Sequence, residues 1–381
     1  MTKKTSFGKA LWTLLKRQDW LAWGAVAALL GTGLAFIYSA SWRGDDTGIV
    51  GAWFPKQIQW VCIGAVAGLA LALADYRVWI RHAWWLFAVA LALLGAVLVF
   101  GTRVYGASRW IGVAGIPVQP SEFAKIALVI LLARLLGDPA LPPQSLGLMA
   151  TGLTLTALPF ALILVEPDLG TALVLVPVAL AMLFAAGMKW RWFFALAGMG
   201  AAAVPLAWWL VLGDYQKERV LTFLDPSRDP LNSGWNAMQS AIAVGSGGMT
   251  GKGFLNGTQN VLGFLPRTVS PSDFIFPVLA EETGFVGASL LLLAFTLLLL
   301  CWLRTAATAG DPEGSLLATG MAALLFAHVF INVGMTIGLL PITGLPLPFV
   351  SSGGSFMLSM MAAAGLVQSV HARRERRGTE R

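Results

Sequence analysis

Ten apolar stretches dominate this chain, each close to the roughly 17 to 25 residues that cross about 30 Å of hydrocarbon as a helix. They lie near 20 to 40, 57 to 75, 82 to 101, 121 to 137, 147 to 165, 170 to 188, 191 to 212, 276 to 303, 315 to 339 and 351 to 370. A lipid interior leaves only helices or closed barrels as spanning structures, and stretches of this length read as helices. The expected fold class is therefore an all-α polytopic membrane protein of about ten transmembrane helices. Only 12% of the 381 residues are charged, so residues 1–381 read as a single integral membrane domain with no soluble domain. Cys62 and Cys301 follow no metal-ligand spacing, and the apolar first stretch reads as an uncleaved helix.

The net charge of +7 sits in the tails. Lys3, Lys4, Lys9, Lys16 and Arg17 precede the first stretch, and Arg373, Arg374, Arg376, Arg377 and Arg381 follow the last. Basic residues favour the cytoplasmic side, so both termini are expected there, with 371–381 a basic cytoplasmic tail. This charge speaks of membrane orientation and not of nucleic acid. An even count of crossings agrees. The segment between stretches three and four, the turn "EPDLGT" and the long loop 213–275 between helices 7 and 8 then fall together on the extracytoplasmic side.

Each of these outer segments carries polar residues where charge near hydrocarbon is costly. In "QPSEFAK", Pro120 and Ser121 suit a helix start and Glu122 suits its first turn. Lys125 shares the face of Glu122, as an ion pair or a substrate contact. Arg109 and Trp110 offer a cation and a flat ring, although an interfacial anchor explains Trp110 equally well. Glu166 and Asp168 make "EPDLGT" polar, which a hairpin turn also needs. "SGGMTGKG", Ser246 to Gly253, fails as a phosphate-binding P-loop because Ser246 and Gly253 replace the required residues. Its glycines could still turn N–H groups toward an anion beside Lys252, or simply form a flexible loop.

Asp273, Glu281 and Glu282 lie within "SDFIFPVLAEETG". Gly284 to Leu303 already suffices for a crossing, so Phe274 to Thr283 is an outward extension or a re-entrant piece. Asp273 or Ser272 could serve as a helix cap; alternatively, Asp273 stands at a partly desolvated rim, where its pKa rises toward the range of a general base. His328, Asn332 and Thr336, four residues apart, form one polar stripe suited to interhelical hydrogen bonds. The prolines and Ser/Gly cluster of "GLLPITGLPLPFVSSGGSF" imply backbone buried by protein or lining a cavity.

Together "GASRWI", "QPSEFAK", "EPDLGT", "GSGGMTGKG", "GTQNVLGFLP", "SDFIF", "LAEETG", "NVGMTIGLLPITGLPLPF" and "SSGGS" resemble the SEDS family of shape, elongation, division and sporulation proteins. The resemblance runs in order from Arg109 through Ser355, and is nearer to the elongation branch, RodA, than to the division branch, FtsW. It implies a peptidoglycan glycosyltransferase that polymerises lipid II at the outer face of the bacterial cytoplasmic membrane. It further implies Asp273 as catalytic base, with Arg109, Gln119, Glu122, Lys125, Asp168, Gly247, Gly248, Lys252 and Ser351 as substrate-binding residues. The implied partners are lipid II and a nascent glycan strand on undecaprenyl diphosphate, a class B penicillin-binding protein, and elongation-complex proteins such as MreC and MreD. A divalent cation, Mg or Mn, is a further expectation without a nameable ligand set. Pro271 and Ser272 stand where the family commonly has His-Thr, and Ser352 where it has Tyr. A lipid II flippase or a secondary transporter with broken helices would use a similar groove without a base.

Overall fold

The computed structural model describes residues 7–42, 53–104, 107–113, 116–141, 145–210, 213–266 and 269–374. Lys3, Lys4 and the tail beyond Arg374 lie outside these described residues. The helices are α1 (Phe7–Lys16), α2 (Trp20–Ser41), α3 (Trp53–Leu73), α4 (Tyr76–Arg81), α5 (Ala83–Phe100), α6 (Pro120–Leu136), α7 (Leu146–Val165), α8 (Leu169–Ala185), α9 (Trp190–Leu210), α10 (Asp214–Leu224), α11 (Ser233–Ser246), α12 (Thr258–Val261), α13 (Ile275–Thr308), α14 (Pro312–Thr336) and α15 (Gly354–Ala372). Every apolar stretch is occupied by one of these helices. Seven of them, α2, α3, α5, α7, α13, α14 and α15, are long and apolar enough for a full crossing, and α8 is a shorter apolar helix.

The starts of these helices are written in local chemistry. Asp19 accepts from the Leu21 and Ala22 amides, Asp75 from Arg77, Ser145 from Leu148, Asp168 from Thr171 and Asp311 from Gly314. Pro120 and Pro312 occupy first-turn positions that need no amide donor. Helix α6 is buried along almost its whole length, α15 likewise, and α14 over most of it, so these three form the inside of the bundle. Trp85, Val66 and Phe100 on outer helices are each more than 70% exposed, as lipid-facing side chains must be in a protein without its bilayer.

Helices α3 and α15 approach closely through glycine. A Cβ on Gly365 would lie 2.2 Å from the Gly68 carbonyl oxygen, and one on Gly68 would lie 2.8 Å from the Met361 carbonyl. Small residues let backbones meet where no hydrophobic force separates lipid from protein. Gly365→Val is expected to destabilise by about 1–3 kcal/mol or more through overpacking. Thermal unfolding in detergent reads this as a lowered midpoint, whereas Gly95→Val, with nothing near its position, leaves the midpoint close to wild type.

One end of the bundle is tied by a polar lattice. Gln368 exchanges hydrogen bonds with the Asp19 backbone, and Arg77 pairs with Asp311 at 2.8 Å. Arg134 donates to the Ile80 carbonyl, and Arg373 to those of Ala72 and Leu73. Basic residues therefore gather at this end. The opposite end holds the turns before α6, α8, α13 and α15.

Two departures from the expected all-α outline occur at that opposite end. Between α5 and α6 runs a small antiparallel sheet, β1 (Thr102–Val104), β2 (Ala107–Val113) and β3 (Ile116–Val118), with Thr102 opposite Trp110 and Ile111 opposite Val118. Residues 213–275 are not a plain loop either. They fold into α10, a 3-10 turn at Pro226–Arg228, α11 and α12, and Ser240 Oγ donates to the Thr336 carbonyl at 2.7 Å. Helix α13 breaks at Gly284 (φ 67°, ψ −164°), so Ile275 to Thr283 is a separate short piece preceding the crossing.

Candidate functional site

The Gly284 break explains two of the three clustered carboxylates. A broken helix frees backbone groups that a membrane cannot solvate, and they must find partners within the protein. The glycine-rich segment supplies them: Phe285 and Val286 donate to the Gly248 and Met249 carbonyls, while Lys252 and Gly253 donate to those of Glu281 and Glu282. A Cβ on Gly247 would lie 2.1 Å from the Ala280 carbonyl oxygen, which only glycine tolerates. Glu281 pairs with Lys252 at 2.6 Å and accepts from Thr258 and the Gln259 amide. Glu282 accepts from Ser39 and from the Leu255 amide. Gly247, Gly248 and Lys252 thus brace the kink.

Asp273 is different. The cap position of α13 is Phe274, and no side chain caps that helix, so Asp273 is free of the capping role. Its amide donates to the Val269 carbonyl at 2.8 Å, and the residue as a whole is half-buried. Burial raises its pKa to about 7, against the lowering influence of the Ser272 hydroxyl and Arg219, with Asp168 raising it and Arg109 lowering it. The charges that face it come from β2, from the turn before α8 and from α10.

Asp168 caps α8 and is buried, accepting from the Thr171 amide and hydroxyl and from Gln119 Nε2 at 3.4 Å. Arg109 Nε lies 3.8 Å from Asp168, and its guanidinium donates to the Pro167 carbonyl. The Gln119 amide donates to Ser355 Oγ at 3.0 Å, tying the start of α6 to the start of α15. Glu166 beside them is buried, and among the described residues neither of its carboxylate oxygens has a partner. Burial, then Asp168, raises its pKa to about 8, and Arg109 opposes this. Ser351 Oγ accepts from the Leu347 amide at 2.8 Å and donates to the Ser272 carbonyl, so it fixes the segment that carries Asp273.

Glu122 and Lys125 sit deeper. Lys125 Nζ is 2.9 Å from Glu122 and 2.8 Å from His328 Nε2, and Ser359 donates to Glu122 at 3.3 Å. Lys125 and His328 are buried to 1% and 0% exposure, so this network is sealed from solvent. The polar stripe of α14 is interhelical only at His328, which meets Lys125; Asn332 bonds the turn before α13 and the Leu345 carbonyl, and the Thr336 hydroxyl bonds back to Val333 of its own helix.

Arg219 on α10 was not singled out by the sequence, where it is one cation beside Lys217 and Arg228, with Glu218 adjacent. It donates to the Thr343 carbonyl at 3.2 Å and borders a cavity of about 190 Å³ lined also by Phe223, Met238, Met335, Leu340 and Ile342. Arg219 thus connects the two features, acting on Asp273 electrostatically and lining the apolar cavity.

A family model for cell-cycle proteins of the FtsW, RodA and SpoVE type matches residues 19–376. The chain belongs to this family. It is 40% identical over 348 residues to the peptidoglycan glycosyltransferase MrdB of Escherichia coli K12, covering 91% of this chain and 92% of that protein. With the peptidoglycan glycosyltransferase RodA of Treponema pallidum it shares 34% identity over 426 residues, covering 93% and 98%. Among solved structures it resembles a chain of a peptidoglycan synthase complex that coordinates polymerization and crosslinking, with TM-score 0.78, 32% identity and coverage of 94% and 98%. It also resembles the rod shape determining protein RodA of Thermus thermophilus, with TM-score 0.68, 28% identity and coverage of 94% and 98%.

The raised pKa of Asp273 in this family member has a measurable consequence. A base must be deprotonated, so any proton transfer to Asp273 speeds up as pH rises through about 7 and levels off above it. Stability moves the other way: the folded state holds protons on Asp273 and Glu166 that the unfolded chain releases near pH 4, so stability falls as pH rises from about 4 to 8. A unfolding-midpoint series across that window checks the sign.

Proposed function

We infer that this protein is a peptidoglycan glycosyltransferase of the cell-elongation type, which polymerises lipid II into glycan strands. The observation that carries the reading is Asp273: a half-buried residue that does not cap α13, with Arg109 and Arg219 in its electrostatic reach, Arg219 also lining an apolar cavity. The kinship with MrdB and RodA supports the same activity.

In this reading Asp273 takes the proton of the acceptor sugar's 4-hydroxyl as that oxygen attacks the donor's anomeric carbon. The bond from that carbon to the lipid diphosphate breaks, its electron pair leaves on the diphosphate, and the α-linked donor becomes a β-linked product. Arg109 and Arg219 stabilise the departing charge through preorganised guanidinium donors. Gln119, Asp168 and Ser351 hold the surrounding turns in register. Lys125, Gly247, Gly248 and Lys252 act behind this front, since their polar partners are Glu122, His328 and the Gly284 kink. A divalent cation would arrive with the diphosphate: among the described residues no three His, Cys, Asp or Glu side chains cluster to hold one.

The site faces away from the cytoplasm in this proposal, a reading supported by the basic lattice of Arg77, Arg134 and Arg373 at the other end, since basic residues favour the cytoplasmic side. The proposed partner is a penicillin-binding protein that crosslinks the strands, which the resemblance to a synthase complex that coordinates polymerization and crosslinking supports; MreC and MreD are proposed as further partners from the SEDS-family resemblance of the sequence. The reading is tested by reconstituting the full chain with lipid II, with and without a penicillin-binding protein, and resolving products by size. Glycan strands support it. Movement of lipid II across the bilayer without polymer would favour the flippase reading.

A further inference from the structure

Asp273 is gripped by its backbone from α14. Asn332 Nδ2 donates to the Asp273 carbonyl at 3.0 Å and to the Leu345 carbonyl at 2.7 Å. Both partners can only accept, so the amide nitrogen must face them. This orientation leaves Asn332 Oδ1 buried without a partner among the described residues, an arrangement that works against stability and that an apolar residue would avoid. The second partner matters because Leu345 follows Gly344, whose φ of +73° suits glycine and whose Cβ, were it present, would lie 3.2 Å from Asp273 Oδ2. One side-chain amide thus ties the carboxylate-bearing turn to the backbone that closes over the carboxylate.

We propose that Asn332 is a positioning residue, which pins the Gly344–Leu345 backbone against Asp273 and so sets the direction of that carboxylate and its shielding from water. The inference rests on the reading of Asp273 as the base. Ser351 and the Ser352 amide hold the same turn one and two residues earlier, through the Ser272 and Pro271 carbonyls. Ser351 reaches the same loop at Leu347, whereas Asn332 bonds Leu345 directly, next to the glycine that approaches the carboxylate. The charged groups facing Asp273 are Arg109 from β2, Asp168 from the turn before α8 and Arg219 from α10; α14 brings the neutral amide.

Asn332→Ala in the reconstituted full chain is expected to lower kcat about 10- to 100-fold, with KM for lipid II changed little, because the base is misplaced while the binding surfaces persist. Water admitted beside Asp273 should also move the acid limb of the pH–rate profile to lower pH, a change that loss of a purely structural bond would not produce. Thr336→Val is the control, since that hydroxyl bonds only within its own helix, to the Val333 carbonyl, and near-wild-type rates are expected. If Asn332→Ala does not accumulate, Asn332→Gln, which keeps the amide one methylene further out, should show the same acid-limb shift with a smaller loss of kcat. An unchanged kcat overturns the proposal, and so does a lowered kcat with an unmoved acid limb. Asp273→Asn run in parallel separates the two readings: normal polymerisation there removes the base itself, whereas an inactive Asp273→Asn beside a wild-type Asn332→Ala removes only the positioning role.

Discussion

Lys125→Met is expected to destabilise the protein by roughly 3–5 kcal/mol, the cost of leaving Glu122 ionised and unpaired inside the bundle. The ammonium is 2.9 Å from Glu122 and 2.8 Å from His328, at 1% exposure, so no water replaces it. Glu122 would keep only Ser359, at 3.3 Å, and the positive end of α6. Adding Glu122→Gln should recover much of the loss, because a neutral amide needs no counter-charge. Thermal unfolding in detergent, beside the rate of glycan formation, separates two roles for Lys125. A large drop in midpoint that the second substitution reverses marks the pair as a structural, charge-neutralising pair inside α6. A wild-type midpoint with lost activity would instead put the ammonium on the substrate.

How far such residues could be foreseen follows from how local their causes are. The spans were legible because crossing a bilayer is a sum over neighbouring residues: the stretch near 276 to 303 lies within Ile275–Thr308, and 57 to 75 lies largely within Trp53–Leu73. The α14 stripe was legible too, since His328, Asn332 and Thr336 share a face by helical spacing alone. Its partners were not, because Lys125 is 203 positions from His328. Distance in sequence also hid the purpose of the glycine-rich segment: nothing near Gly247 announces a broken helix at Gly284. The sheet over 102–118 is short and glycine-interrupted, too weak a pattern to stand out beside long apolar runs. Arg219 looked like an ordinary loop cation until α10 brought it against Thr343. Asp273 stood out as a carboxylate among apolar neighbours, and excluding it as a cap required the backbone geometry of Phe274.

Asp273→Asn carries the second large effect, and its logic is one of subtraction. Asparagine matches the aspartate in shape and loses only the charge and the ability to take a proton. Burial already holds this carboxyl near neutrality, with a pKa of about 7, so the substitution should leave the unfolding midpoint unchanged or raised. Lipid II should bind as before, through Arg109, Arg219 and the apolar cavity. What disappears is general-base assistance, worth about 10²- to 10⁴-fold. The decisive measurement is the initial rate of glycan formation from lipid II by purified, reconstituted Asp273→Asn against wild type at pH 8, with unfolding midpoints recorded on the same samples. A fall of at least about 100-fold at an undiminished midpoint is the predicted result; strands made at the wild-type rate would contradict it.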